Sequence, residues 1–253
     1  MGNTSGDMDS IVGAMALGYF LTLKTGQMWT PVVNCAKKDL KLKTEIHCHL
    51  IEDCKLSMED MFFWDEMLDL KRPIEEIALI DHNMIDGLQA EQLGDNAHSK
   101  VTIIYDHHVD NKFYPVDQLK ENQVRFIGSA CSILVLEMIK NESLFDKALF
   151  DKSVTPNYAS FIAAPVMLDT HNFTESLRDS KWQKEDEDAR DWLLQFTELG
   201  KAYFDKMNKN KFDQEKALSF GLQGNFRRDY KTYNLKKGGA EGKFGCAVMV
   251  FQP

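Results

Sequence analysis

Apolar residues recur at helical spacing directly after residue 9, where Ser10-Ile-Val-Gly-Ala-Met-Ala-Leu-Gly-Tyr-Phe-Leu runs toward Gly26. The spacing predicts a buried helix that stops at that glycine. Residues 29–35 and 44–50 read as strands, and residues 60–68 as a short helix. Two short apolar runs then end in polar chemistry, Ile77-Ala-Leu-Ile-Asp-His-Asn and Val101-Thr-Ile-Ile-Tyr-Asp-His-His. Unbroken runs of this kind mark central strands of a parallel sheet, which are covered on both faces.

A third strand over 123–127 leads through Gly128-Ser129 into a helix at Ala130–Lys140, and a further helix over 157–168 ends in Leu168-Asp-Thr-His-Asn-Phe. Strands alternating with helices predict an α/β fold, a parallel sheet with helices on both faces. Ligands of such sheets gather at the carboxyl ends of the strands, which is where Asp81 and Asp106-His107-His108 would lie. The densely charged stretch 178–190 reads as a linker separating a first domain, 1–177, from a second module over 191–253. Trp192, Leu193, Phe196 and Leu199 form the helical stripe that would open this smaller α/β module, and an apolar run over 246–251 closes it.

The chain of 253 residues, 43% hydrophobic and 27% charged, is long enough to bury a sizeable core. It contains no run of about 18 apolar residues and opens with no signal-peptide pattern, so the expected location is the cytoplasm, with no membrane partner. Five cysteines without CxxC spacing argue against a disulfide framework and against structural zinc. A net charge of -9 disfavours duplex nucleic acid as a partner. A polyanionic substrate stays possible if bound cations invert the local field.

Asp7 and Asp9 stand two positions apart just before the first helix, and either alone reads as a helix N-cap. Together with Asp81, Asp106-His107-His108 and Asp169, all at predicted strand ends or helix starts, they offer a second reading. Carboxylate oxygens suit hard Mg²⁺ or Mn²⁺, and imidazole adds affinity for Mn²⁺. Two such ions about 3.5–4 Å apart stabilise both the attacking and the leaving oxygen of a displacement at phosphorus.

Gly2-Asn-Thr-Ser-Gly-Asp-Met-Asp-Ser, Leu79-Ile-Asp-His-Asn, Tyr105-Asp-His-His and Leu168-Asp-Thr-His-Asn-Phe resemble, in order and spacing, the four motifs of the DHH phosphoesterase superfamily. Within it the chain looks most like the cytosolic exopolyphosphatases and the related prune proteins. The resemblance implies that Asp7 binds one metal, Asp9 the other, and that Asp81 bridges both. His107 and Asp169 would complete the second ion's shell, His108 would face the substrate phosphate as stabiliser or proton donor, and Asp106 would orient the histidine pair. Family II pyrophosphatases carry a histidine ligand where this chain has Asn3, so the resemblance points away from a dedicated pyrophosphatase and places Asn3 beside the substrate.

Phe226-Arg-Arg-Asp-Tyr-Lys resembles the basic signature of the family's second domain, which implies phosphate contacts from Arg228 and Lys231, with Arg227 as a helper. His82 is a further candidate for contact with substrate. The expected activity is removal of terminal phosphate from inorganic polyphosphate with two Mn²⁺ or Mg²⁺ ions. Two alternatives stand beside it: a prune-like enzyme acting on short polyphosphates, pyrophosphate or cyclic nucleotides, and a noncatalytic interaction protein. The last draws on two departures from the family pattern, an apolar strand expected before Gly2 and a longer second domain.

Overall fold

A computed structural model describes residues 1–70, 73–154, 156–237 and 240–247, with side chains except those of 231–244. Helix α1 (Met8–Thr25) begins at Asp7, whose Oδ1 accepts from the Ser10 N–H at 3.1 Å. It ends at Gly26, which takes φ 69° and returns its N–H to Thr22 O. Ile11, Val12, Leu17, Phe20 and Leu21 are all buried, so α1 is covered on more than one face.

After α2 (Thr44–His47), which continues as a π-helical turn over Cys48–Asp53, and α3 (Trp64–Asp69), the chain enters strand β1 (Ile77–Ile80). Helix α4 (Gly87–Leu93) crosses to β2 (Val101–Asp106), and β3 (Glu121–Val124) pairs on the far side. The sheet is parallel in the order β1-β2-β3. Along the other edge of β1, the Met1 amino group donates to Ala78 O at 2.7 Å and Ile80 N–H donates to Met1 O at 3.1 Å. Met1 therefore borders β1, and the turn after it brings residues 3–9 to the carboxyl edge of the sheet.

Ala78, Ile80, Ile103 and Tyr105 face a core shared with α1, α5 (Ala130–Lys140), α6 (Tyr158–Asp169) and α7 (Lys184–Leu193). Ile77, Leu79, Val101 and Ile104 face a separate cluster with Ile85, Ala97 and Tyr114. A register shift between Ile77 and Ala78 puts Val101 and Ile104 on one face despite their odd spacing. Each fully buried Leu, Ile or Phe stabilises the fold by about 1.5–3 kcal/mol relative to exposure. Helices α8 (Lys201–Lys211), α9 (Gln214–Ser219) and α10 (Gly221–Arg228) and the antiparallel pair β4 (Tyr230–Lys237) and β5 (Ala240–Ala247) complete the described chain.

The structure corrects several local expectations. Residues 44–50 are helical rather than a strand. Ile46, Cys48 and Leu50 alternate like strand residues, but i and i+4 also share a helix face, so Ile46 and Leu50 are buried equally well by a helix. Residues 29–35 contribute one bridge, Val33 to Phe63, instead of a strand, and this extended pairing delays the helix expected at 60 until Trp64. The third strand starts two residues and ends three residues earlier than expected.

The charged stretch 178–190 is not a free spacer. Asp186 within it is fully buried, accepting from the Gly128 and Gln183 N–H groups at 2.7 and 2.8 Å. Trp192, Leu193, Phe196 and Leu199 join the core of α5 and α6 instead of opening a separate one. The end of the apolar run over 246–251 lies outside the described residues.

Candidate metal centre

The loop before α1 is organised by one amide. Asn3 Oδ1 accepts from Ser5 N–H at 2.9 Å, Ser5 Oγ at 2.6 Å and Gly6 N–H at 3.1 Å. Gly6 takes φ 54°, a left-handed conformation that suits glycine. The Asn3 Nδ2 group donates to Asp81 Oδ2 at 2.7 Å, where Ser10 Oγ also donates at 2.7 Å. Asn3 thus anchors an acid to the loop, and its carbonyl oxygen is already taken by three donors.

Asp81 follows β1 with φ 62°, a costly conformation for a non-glycine residue that aspartate tolerates better than most. Its Oδ1 sits 3.1 Å from His107 Nε2 and 3.6 Å from His108 Nδ1. Ligand atoms of Asp81, His107 and His108 all lie within 4.8 Å of one another. His107 Nδ1 donates to Ile127 O at 3.1 Å, because a carbonyl can only accept. This puts a proton on Nδ1 and turns Nε2 toward Asp81 Oδ1 and toward Asp9 Oδ2, 3.9 Å away.

Asp9 is buried against the N-terminus of α5. Its Oδ1 accepts from Ser129 Oγ at 2.8 Å and the Cys131 N–H at 3.0 Å, and its Oδ2 accepts from the Ala130 N–H at 2.6 Å. Asp7 keeps its cap on α1, while its other oxygen lies 3.3 Å from Ser5 Oγ. Asp169, the last residue of α6, faces the same group of acids. Burial first, then the charges of Asp7 and Asp9, push the Asp81 carboxyl well above its ordinary range. Burial first, then Asp9 and Asp7, do the same to Asp169. For His107, burial opposes protonation, but the Asp9 and Asp169 charges prevail and raise its pKa. The charges of Asp7, Asp9 and Asp169 thus bear on Asp81 and His107, where like charges repel.

Beside this group, Asp106 Oδ1 accepts from His108 Nδ1 at 2.9 Å and from the His107 and His108 N–H groups at 2.9 and 3.2 Å. Its Oδ2 accepts from Asn83 Nδ2 at 2.5 Å, and Asn83 Oδ1 in turn accepts from Asn111. Although burial works to raise it, the Asp106 carboxyl is held below its usual range by these bonds and by His108. His108 itself is half exposed, which leaves Nε2 as its outward nitrogen. The family resemblance marks Asp106 and His108, and the structure adds Asn83 to them.

The remaining candidates are placed differently. His82 turns inward: Nδ1 meets Ile80 O at 2.9 Å and Nε2 is buried with no hydrogen-bond partner among the described residues, so substrate contact is not what the structure gives it. Arg228 is buried, donating to Thr44 Oγ1 at 3.2 Å and to Lys211 O, which commits it to the interior instead of to phosphate. Arg227 is exposed and pairs with Asp39 at 3.3 Å. The side chain of Lys231 lies outside the described residues. Lys211, which the lysine-rich run 201–211 disguised as a solvated position, was missed. Burial lowers its pKa, yet Glu45, Asp169, Asp7 and Asp229 raise it overall, so it is a cation in the field of the acidic group.

Donors of hard oxygen and imidazole nitrogen fit divalent Mn²⁺ or Mg²⁺. Residues 1–166 match the family model described as "DHH family, N-terminal domain". The chain is also similar to exopolyphosphatase PRUNE1 of Mus musculus, 27% identical over 241 residues, which cover 92% of this chain and 48% of the mouse protein. The Rattus norvegicus PRUNE1 is 25% identical over the same 92% and 48%. The chain thus spans about half the length of these curated relatives.

Proposed function

The chain belongs to the DHH family, and from that premise we propose that it is a metal-dependent hydrolase that removes terminal orthophosphate from inorganic polyphosphate. A phosphoesterase of prune-like type is the broad class that the family match and the similarity to the exopolyphosphatases support. The observation that carries the reading is geometric: His107 Nε2 lies 3.1 Å from Asp81 Oδ1 and 3.9 Å from Asp9 Oδ2, with the charges of Asp7 and Asp169 close by.

Those five residues would hold two divalent ions, Mn²⁺ or Mg²⁺. The ions would supply Lewis-acid stabilisation of charge on phosphoryl oxygens. His108 Nε2 would meet the terminal phosphate and hold or give up a proton there, while Asp106 fixes its tautomer and Asn83 fixes Asp106. Lys211, with Lys231 from the family resemblance, would draw the polyanion toward an otherwise acidic protein. The saturated Asn3 carbonyl supports a substrate other than pyrophosphate, since at this position the chain offers no spare ligand atom.

Orthophosphate release from polyphosphate is expected to require Mn²⁺ or Mg²⁺ and to collapse in Asp81→Ala and His108→Ala. Undiminished release by both folded variants would overturn the proposal. Turnover of long-chain polyphosphate, tripolyphosphate, pyrophosphate and cyclic AMP on one preparation ranks the substrates.

A further inference from the structure

We propose that Phe173 is a positioning residue for Asp169, acting through a strained left-handed turn over residues 171–173 that it locks in place. The inference rests on the reading of Asp169 as a metal ligand and extends it to residues that would touch no ion.

The turn starts two residues beyond that acid. His171, Asn172 and Phe173 take φ 50°, 51° and 55°, three non-glycine residues in succession in the left-handed region. Such residues normally enter that region singly, and strain of this kind persists only where the surroundings over-determine it. Here they do. The Phe173 N–H donates to Thr170 O at 3.0 Å, and His171 O accepts from the Thr174 N–H at 3.2 Å and from Thr174 Oγ1 at 2.7 Å. The Phe173 ring meets the buried Trp182 edge-on, with centroids 5.4 Å apart, while the Arg190 guanidinium covers it at 4.5 Å. Trp182 Nε1 donates to Thr174 O at 3.0 Å, which ties the far end of the turn to the same clasp.

Both ends of the turn abut one glycine. A Cβ placed on Gly128 would collide with Lys181 O and lie 3.0 Å from Thr170 Cγ2, so residues 170 and 181 both pack directly on it. Gly128 stands between Ile127, whose carbonyl holds His107, and Ser129, whose hydroxyl holds Asp9. Asp186 fixes the downstream end there by accepting from the Gly128 and Gln183 N–H groups. Release of the strain therefore falls on Thr170 and on the acid before it. A cavity of about 310 Å³, lined by Asn172 and Phe173 together with Val166 and Met167 of α6, gives that last turn of the helix room to shift.

Calorimetric titration of the whole chain with Mn²⁺, below the melting temperature of each variant, tests this. Phe173→Ala should bind Mn²⁺ roughly 10–100-fold more weakly than wild type, the usual effect of removing a group that orients a metal ligand. Phe173→Tyr, which keeps the ring, should restore the affinity. Asn172→Gly should keep it and raise the melting temperature, because glycine takes the left-handed conformation without strain. Asn172→Ile, whose branched side chain resists that conformation, should weaken Mn²⁺ as Phe173→Ala does. A merely structural clasp would lower melting temperatures and leave Mn²⁺ affinity alone. Wild-type affinity in folded Phe173→Ala or Asn172→Ile, or weakened binding by Phe173→Tyr or Asn172→Gly, would thus overturn the inference while leaving the metal reading intact. If Phe173→Ala does not fold, the two Asn172 variants decide. Absence of Mn²⁺ binding by the wild-type chain would instead sink the metal reading, and this inference with it.

Discussion

Asp106 and His108 form a hydrogen-bonded pair, with the imidazole Nδ1 2.9 Å from the carboxylate Oδ1 and the opposite nitrogen turned outward. Replacing Asp106 by Asn keeps the shape but no longer enforces the tautomer with a proton on Nδ1. Polyphosphate turnover should fall by a factor of about 100 or more, while Mn²⁺ binding, followed by calorimetry, should change little. Wild-type turnover in this variant would remove Asp106 from the positioning role.

Asp81 is the acid on which the loop, the histidines and the neighbouring carboxylates all converge. Without metal, Asp81→Asn should raise the melting temperature, because it removes charge from a crowded, buried group. Wild-type protein should gain stability from Mn²⁺, about 2.7 kcal/mol at 100 times the dissociation constant. Thermal melts with and without Mn²⁺ should show that gain and show it lost in the variant.

His49 provides a pH dependence unrelated to the acidic group. Its Nε2 donates to Phe161 O at 2.9 Å and its Nδ1 accepts from the Tyr203 hydroxyl, so the neutral ring is satisfied. Burial lowers its pKa from the ordinary 6.5 to about 4. The folded pKa lies below the unfolded one, so the unfolded chain takes up the proton first as pH falls. Between about 6.5 and about 4 the fold should lose roughly 3 kcal/mol from this residue. Urea unfolding at pH 7 and pH 5 measures the slope, and His49→Gln should flatten it.

Asp186 tests the placement of the charged stretch. Its carboxylate satisfies two N–H groups, a buried one at Gly128 ahead of α5 and a partly buried one at Gln183. Asp186→Ala should cost about 2–4 kcal/mol in urea unfolding. An effect under about 0.5 kcal/mol, usual for surface positions, would mean that the segment contributes little to the core.

Legibility from the sequence followed the strength of the local signal. The helices at Met8–Thr25, Ala130–Lys140 and Tyr158–Asp169 were readable because long apolar periodicity and terminal caps agree there. The same holds for β1 and β2, whose apolar runs have no helical face to offer. Residues 44–50 were misread because positions two and four apart fit either period over so short a run. The buried role of Asp186 was invisible, since the groups it satisfies come partly from residue 128. At the acidic group, motif order singled out the acids and histidines, but the inward turn of His82 and Arg228 depends on tertiary contacts that no short pattern encodes.

The bonds from Asp9 to the backbone of Ala130 and Cys131 connect a buried acid to the first turn of α5. Any cation drawing charge from that carboxylate must weaken its hold on those two amide protons. Their chemical shifts and exchange rates therefore form an intrinsic gauge of occupancy, legible by nuclear magnetic resonance in protein that carries no label at the site and turns over no substrate.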